Sequence, residues 1–200
     1  MTDSLPVSRR KRTAERRTEI VTAAARIFAD QGYAAVGMRD IADTIGIRGA
    51  SLYHHFPSKE EILYAICLTV TKEPVERNLP LLDGPGTPAE RLTALMTAHV
   101  RHLLHRRVEY MVGLHERPAL TPEHRAEIDR YLYYYNRRVR DLLVAGMRSG
   151  EFRELNPSVA ALGILDMLNG VSSWIRGDTD EDTDEVVVTY TAMLFDGLRA

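Results

Sequence analysis

Apolar side chains recur every third or fourth position along almost the whole chain, the period of a helix with one buried face. Ile20, Ala24, Ile27 and Phe28 form the first clear stripe and Gly32 stops it, which predicts a helix over 13–31. Ile41, Ala42 and Ile45 mark a short second helix ending at Gly46, whose backbone freedom suits a helix C-terminus. After that turn Ile47, Leu52 and Phe56 point inward in a third helix, leaving Arg48, Ser51, Tyr53, His54 and His55 on the other faces. Pro57 closes it. Ser58, with Glu61 three residues on, predicts a capping box and a fourth helix running to about Lys72. The stretch LPLLDGPGTP at 79–88 is a loop by composition. Three later helices each open on a polar cap followed by proline: Thr87-Pro88, Thr121-Pro122 and Asn156-Pro157. Gly150 ends the Thr121 helix, and Gly177 with the acidic run DTDEDTDE separates the last two. The pattern holds no strand, repeat or Gly-rich phosphate loop, so the predicted fold class is all-α.

Two helices of about two turns joined by a glycine turn, over 37–56, make a helix-turn-helix, whose second helix fits the major groove of DNA. The pieces that carry a resemblance are IFADQGYAAVGMRDIA at 27–42, TIGI at 44–47 and SLYHHFPSKEEIL at 51–63. Together they resemble the DNA-binding domain of the TetR family of transcriptional regulators, over roughly residues 13–65. Residues 1–12, Ser, Thr and Pro followed by Arg9, Arg10, Lys11 and Arg12, read as a disordered basic arm; the resemblance implies a helix-turn-helix domain (13–60) and a helical effector-binding and dimerisation domain (61–200). It also implies a homodimer on a palindromic double-stranded operator, released by a small-molecule effector, with repression as the default outcome.

Charge supports two parts with different partners. The chain carries −2 overall, yet residues 1–60 hold ten Lys/Arg against seven Asp/Glu, and residues 61–200 hold sixteen against twenty-one. A basic end on an acidic body is expected when only one part meets phosphate. The resemblance implies that Ser51, Tyr53 and the Ser58-Lys59 helix start grip phosphates; hydroxyls and a helix N-terminus with a lysine make an anion site. Base reading falls to Arg48, Gly49 and Ala50, with His54 or His55 further along. Arg48 can pair in bidentate fashion with guanine. Arg39 and the run Arg9, Arg10, Lys11 and Arg12 complete the expected DNA-binding set, the run as a flexible arm for the minor groove or a nonspecific attractor. Two departures from the family pattern stand out. Val36-Gly37 replaces the usual hydroxyl N-cap of the second helix, and Gly49 takes a side chain away from the recognition helix.

For the body, Ala160, Gly163, Ile164, Met167, Val171 and Trp174 fall along one stripe of 157–176, and Val187, Tyr190, Thr191, Leu194 and Leu198 along another of 184–199. Monomer core and dimer contact explain these stripes equally; the resemblance favours the dimer. The run YLYYY at 131–135 offers Tyr131 with Tyr134 or Tyr135 on one face, and Met96, Met111, Leu114 and Trp174 are further expected linings of an apolar effector cavity. The segments GMRSGEFRELNP and LNGVSSWIRG loosely resemble family members that answer to fatty-acyl or steroid-type coenzyme A thioesters; Arg138 or Arg176 would then hold a phosphate. His99, His102 and His105 repeat every third position, but no cysteine or carboxylate–histidine cluster joins them, so a partly solvated face is favoured over a metal-responsive regulator. A ligand-free DNA-binding protein is the other alternative. No cofactor, catalytic residue or metal ligand is expected: the chain lacks His-Glu-x-x-His, nucleophile-elbow, P-loop and dinucleotide patterns. Lone Cys67 reads as a core residue, and with no apolar run of the roughly 18 residues a bilayer span needs, the protein is expected to be soluble and cytoplasmic.

Overall fold

The computed structural model describes residues 5–175 and 179–198, with side chains from Lys11 onward except at 180, 197 and 198. Every regular element among them is helical: α1 (Leu5–Gln31), α2 (Met38–Ile45), α3 (Gly49–His55), α4 (Lys59–Arg77), α5 (Pro88–His105), α6 (Arg107–His115), α7 (Pro122–Arg148), α8 (Pro157–Trp174) and α9 (Asp180–Leu198). The boundaries follow local chemistry. Gly46 takes φ +69° and Gly32 φ +83°, left-handed conformations that close α2 and α1. Thr87, Thr121 and Asn156 accept backbone N–H bonds as N-caps, each followed by the expected proline. Caps of this kind typically contribute about 1 kcal/mol each. Ser58 accepts from the Glu61 backbone N–H at 3.2 Å.

Several boundaries differ from the sequence reading. Helix α1 starts at Leu5, so the basic run is helical rather than a disordered arm; Lys11 lies 4.0 Å from Glu15, one turn on. Helix α4 runs past Lys72, through Pro74, to Arg77. Residues 79–83 form a 3-10 turn rather than an open loop, because Leu79 and Leu82 are buried in the body core. The chain breaks between α5 and α6 at Arg106 with no glycine or proline to announce it. The acidic run, expected as a separator, largely enters α9, whose start is a reciprocal pair: Thr179 Oγ1 accepts from Asp182 N at 3.1 Å, and Thr179 N donates to Asp182 Oδ2 at 2.9 Å. Carboxylates in a first helical turn face the positive end of the helix dipole.

Two apolar clusters organise the molecule. One joins α5, α7, α8 and α9 around Leu92, Leu103, Leu143 and Leu168. The other holds Ile20, Phe28, Ile41, Leu52 and Phe56 of the three-helix head, but continues through Ile62, Ile66 and Cys67 of α4 to Val112, Leu120 and Ile128. The head therefore has no core of its own ending at residue 60. Where α4 and α6 cross, a Cβ on Gly113 would stand 2.9 Å from Val70 Cγ2, and Cys67 Sγ donates to Gly113 O at 3.3 Å. Burial pushes the Cys67 thiol up to about 12, so it stays protonated packing.

Candidate functional site

The outward face of the head comes from α2, its turn and α3. Leu52 and Phe56 are fully buried and fix the roll of α3. That roll leaves Arg48, Ala50, Ser51 and His54 exposed, Tyr53 56% exposed, and Gly49 and His55 half-covered. Arg39 is also exposed, at the start of α2. Arg48 is the N-cap of α3 and Gly49 its first residue, so this glycine escapes the helix-interior penalty; a Cβ there would meet nothing within 4 Å. The missing side chain is not a packing requirement. At the α2 start, Gly37 N donates to Asp40 Oδ2 at 2.7 Å, so the carboxylate organises this cap in place of a hydroxyl.

Two basic groups are already engaged inside the head. Lys59 Nζ donates to Tyr33 O at 2.8 Å and Val36 O at 2.7 Å and lies over the Tyr33 ring, tying the α1–α2 loop to α4. The expectation that Lys59 reaches outward to a phosphate is therefore replaced by a loop clamp. Arg17 lies over the Phe56 ring, 3.9 Å from its centroid, and donates to His55 O at the α3 end. Sequence reasoning missed it, since nothing local links positions 17 and 56. Burial, with His54, Arg17 and Arg16 nearby, lowers His55 below the ordinary histidine range, so it is neutral at pH 7. Lys11 and Arg12 are exposed on α1; the Arg9 and Arg10 side chains lie outside the described residues.

A cavity of about 50 Å³ lies where α4, α5, α7 and α8 meet. Val70, Thr71 and Pro74 line it from α4, His99 from α5, and Leu114 from α6. Tyr131, Leu132 and Tyr135 face it from α7, Leu165 and Asn169 from α8. Leu114, Tyr131 and Tyr135 were expected there. Met96 is fully buried in the body core, Met111 is exposed, and Tyr134 points outward, where its hydroxyl accepts from Arg138 at 3.3 Å. Arg138 makes two further bonds to Asp83, at 2.7 and 2.8 Å, which raise its pKa; it is not at the cavity. Trp174, 54% exposed, lines a separate surface cleft beside Tyr190. Arg176 lies outside the described residues.

The histidine triplet divides. His99, expected on a partly solvated face, is buried: Nδ1 lies 3.2 Å from Tyr135 Oη and Nε2 3.2 Å from Asn169 Oδ1, and burial lowers its pKa to about 4. His102 lies 3.1 Å from Tyr110 Oη and 3.3 Å from Glu73, whose carboxyl is held below the usual range chiefly by that bond. His105 is exposed and bonds Arg101 O at 2.7 Å. From Glu73 the polar contacts continue through Arg106 (3.9 Å) and buried Glu109 (3.5 Å) to Thr22 on α1 (3.3 Å). A second tie joins the first turns of α4 and α7: Glu60 bonds His124 Nδ1 at 2.9 Å and accepts from Thr121 N at 2.9 Å, with Tyr64 stacked on His124.

The helix stripes also resolve. Ile164, Val171 and Val187 are buried in this chain's own core, and Ala160, Met167, Tyr190, Thr191 and Leu194 are partly covered. The Leu198 side chain lies outside the described residues. Among the described residues of the expected dimer set, only Gly163 and Trp174 are exposed. The exposed apolar positions are instead Val159, Leu162, Val188 and Met193, joined by Trp174. A core stripe and an outer stripe on one helix have the same period; their offset decides, and that is set by the fold.

A helix-turn-helix with a polar, cation-bearing outer face, fused to an all-α body with a cavity between its helices, defines a DNA-binding regulator. The pattern described as "Bacterial regulatory proteins, tetR family" matches residues 20–66, and that of the "Tetracyclin repressor-like, C-terminal domain" matches residues 85–198. The chain belongs to the TetR family. It is 30% identical over 193 residues to the HTH-type transcriptional repressor KstR2 of Mycolicibacterium smegmatis, covering 92% of this chain and 91% of that one. The structure of the ketosteroid transcriptional regulator KstR2 of Mycobacterium tuberculosis superposes with a TM-score of 0.84 at 28% identity, over 92% and 95% of the two chains. AibR, solved in complex with isovaleryl coenzyme A and operator DNA, superposes at 0.78 with 31% identity, over 90% and 98%. No helix among the described residues is long and apolar enough to cross a membrane.

Proposed function

We propose that the protein is a homodimeric repressor that leaves a palindromic operator when a small, largely apolar effector enters the α4–α5–α7–α8 cavity. The observation that carries this reading is the double duty of α4. Its first turn follows the recognition helix α3 and holds the head through Lys59, while Val70, Thr71 and Pro74 of the same helix wall the cavity. A ligand that displaces the wall moves a rod attached to the reading surface. Effector and operator then compete through one coupling energy, typically about 1–3 kcal/mol.

On DNA, Arg48 reads a base, and Gly49 and Ala50 let the α3 backbone approach the groove. Ser51, Tyr53 and His54 contact phosphate, with His55 beside them, and Arg39 and the basic run Arg9, Arg10, Lys11 and Arg12 supply charge. The exposed Val159, Leu162, Trp174, Val188 and Met193 face of α8 and α9 meets its copy in the dimer. The names of the relatives support a coenzyme A thioester of a fatty-acyl or steroid-type acid as effector. Selection of bound duplexes from random DNA, then titration of the enriched sequence with isovaleryl, octanoyl and steroid-acyl thioesters, tests the scheme. A palindrome with half-sites about one helical turn apart, about 34–36 Å, released by one thioester, is the expected result. A selected site that no thioester releases removes the effector class; no enriched sequence removes the operator reading.

A further inference from the structure

Three polar side chains from three helices meet at one wall of the cavity: His99 from α5, Tyr135 from α7 and Asn169 from α8. Their hydrogen bonds can be counted. If the Asn169 carbonyl accepts from His99 Nε2–H, then Nδ1 is an acceptor and the Tyr135 hydroxyl must donate to it. The Tyr135 oxygen then has the buried Asn78 side-chain amide as its further neighbour, and the Asn169 amide keeps its N–H groups. If the amide is turned, Nε2 accepts, Nδ1–H donates to the Tyr135 oxygen, and the spare groups become the Tyr135 O–H and the Asn169 carbonyl. Either way the relay has a donor left over for a neutral oxygen, and no net charge.

The rest of the lining offers no countercharge. Thr71 spends its hydroxyl on Cys67 O at 2.7 Å, Tyr131 turns its hydroxyl to Glu127 at 3.5 Å, and Val70, Pro74, Leu114, Leu132 and Leu165 are apolar. His102, one turn on in α5, is already paired with Glu73 and Tyr110. His99 is held neutral by its burial. A carboxylate placed here would have to draw a proton onto His99 against the burial that now keeps the ring neutral, whereas a neutral oxygen would find a donor without that cost.

Resting on the effector reading above, we infer that the cavity selects an apolar skeleton bearing an uncharged oxygen, a ketone, ester or thioester carbonyl or a hydroxyl, through Tyr135, His99 and Asn169, and rejects the free acid of the same skeleton. The regulator would thus distinguish an activated or oxidised metabolite from its carboxylate precursor or hydrolysis product.

The test uses the full chain at pH 7.5 and matched probes on two skeletons, a linear ten-carbon chain and a fused bicyclic decalin. Each is supplied as ketone, parent alkane and carboxylate, with binding read by calorimetry and native mass spectrometry. The expected order on at least one skeleton is ketone over alkane over carboxylate, with the ketone about 10- to 100-fold tighter than the acid. Tyr135→Phe and Asn169→Leu each reduce the ketone-to-alkane ratio several-fold while alkane affinity holds. A merely structural role would move both ligands together. A carboxylate that binds as well as the ketone overturns the inference and leaves the cavity as an effector site. Failure of every probe on both skeletons overturns the effector reading itself, and the inference with it.

Discussion

In the head, the groups that can do chemistry point outward from a small, fully apolar interior; in the body they point inward. Leu52, Phe56 and Ile41 are completely buried and serve only to aim Arg48, Ser51 and Tyr53 at whatever lies outside. In the body, His99, Glu109, Asn78 and Thr183 are buried polar groups, and α8 and α9 expose Val159, Leu162, Trp174, Val188 and Met193. A surface that reads DNA must be rigid and solvated before contact, whereas a cavity that senses a small molecule must hold its polar groups away from water. The polar interior also leaves the body open to rearrangement: satisfied networks can re-pair, and a saturated apolar core cannot.

The largest effect that would sharpen this contrast is Leu52→Ala. Truncating a fully buried leucine costs about 2–5 kcal/mol, and the cost falls on the head cluster and its continuation into α4 and α6. Hydrogen exchange should rise over residues 20–66 together with 107–128. If protection is lost over the head alone, the two parts are separable folding units and the shared core is unimportant.

Acid should reveal the body's buried polarity. Unfolded, histidine titrates near 6.5; folded, His99 titrates at about 4. Between those values the unfolded chain binds the extra proton, so this residue makes stability fall as pH drops from about 6.5 to 4. Integrated over that window the loss approaches roughly 3 kcal/mol. His99→Gln should flatten this part of the stability–pH curve, measured by urea denaturation. An unchanged slope in the variant would show that the ring is solvated in the folded state.

Local chemistry made the head's turn and the body's helix starts legible in the sequence. Gly46 with the flanking apolar triplets fixes the turn, and Thr87, Thr121 and Asn156 each announce a helix whose cap then forms. What escaped was set by distant contacts. Arg17 meets Phe56 only through tertiary packing, Lys59 turns back onto a loop, and α5 breaks at Arg106 without a breaker residue. In the cavity, Tyr134 and Tyr135 were indistinguishable by spacing from Tyr131, yet one is 41% exposed and the other 6%. The roll of α7 against α5 and α8 decides between them, and no single-helix pattern contains that angle.

Arg48→Ala isolates the head's function from its folding. The side chain is exposed at the α3 N-cap, and no side-chain cap bond depends on it. Thermal stability should therefore stay within about 0.5 kcal/mol of wild type. Discrimination at one base pair of the selected operator should fall by about 1–3 kcal/mol, read by competition between the operator and its single-base variants. A uniform loss across all variants, with a shallower salt dependence, would instead assign Arg48 to a phosphate.

The smallest effect is expected at Arg138, where sequence reasoning placed a ligand phosphate. Its guanidinium is held by both Asp83 oxygens and by Tyr134, on the outside of α7 and away from the cavity lining. Asp83 is largely exposed, so solvent screens the pair and its loss should cost no more than about 1 kcal/mol. Arg138→Ala should leave probe affinity in the cavity unchanged and shift the melting temperature only slightly. A selective loss of affinity for coenzyme A thioesters, with ketone probes unaffected, would mean that the arginine exchanges Asp83 for a ligand phosphate. The body would then read its effector in two places, a neutral oxygen inside and a charged tail at the surface, and its chemistry would no longer point inward alone.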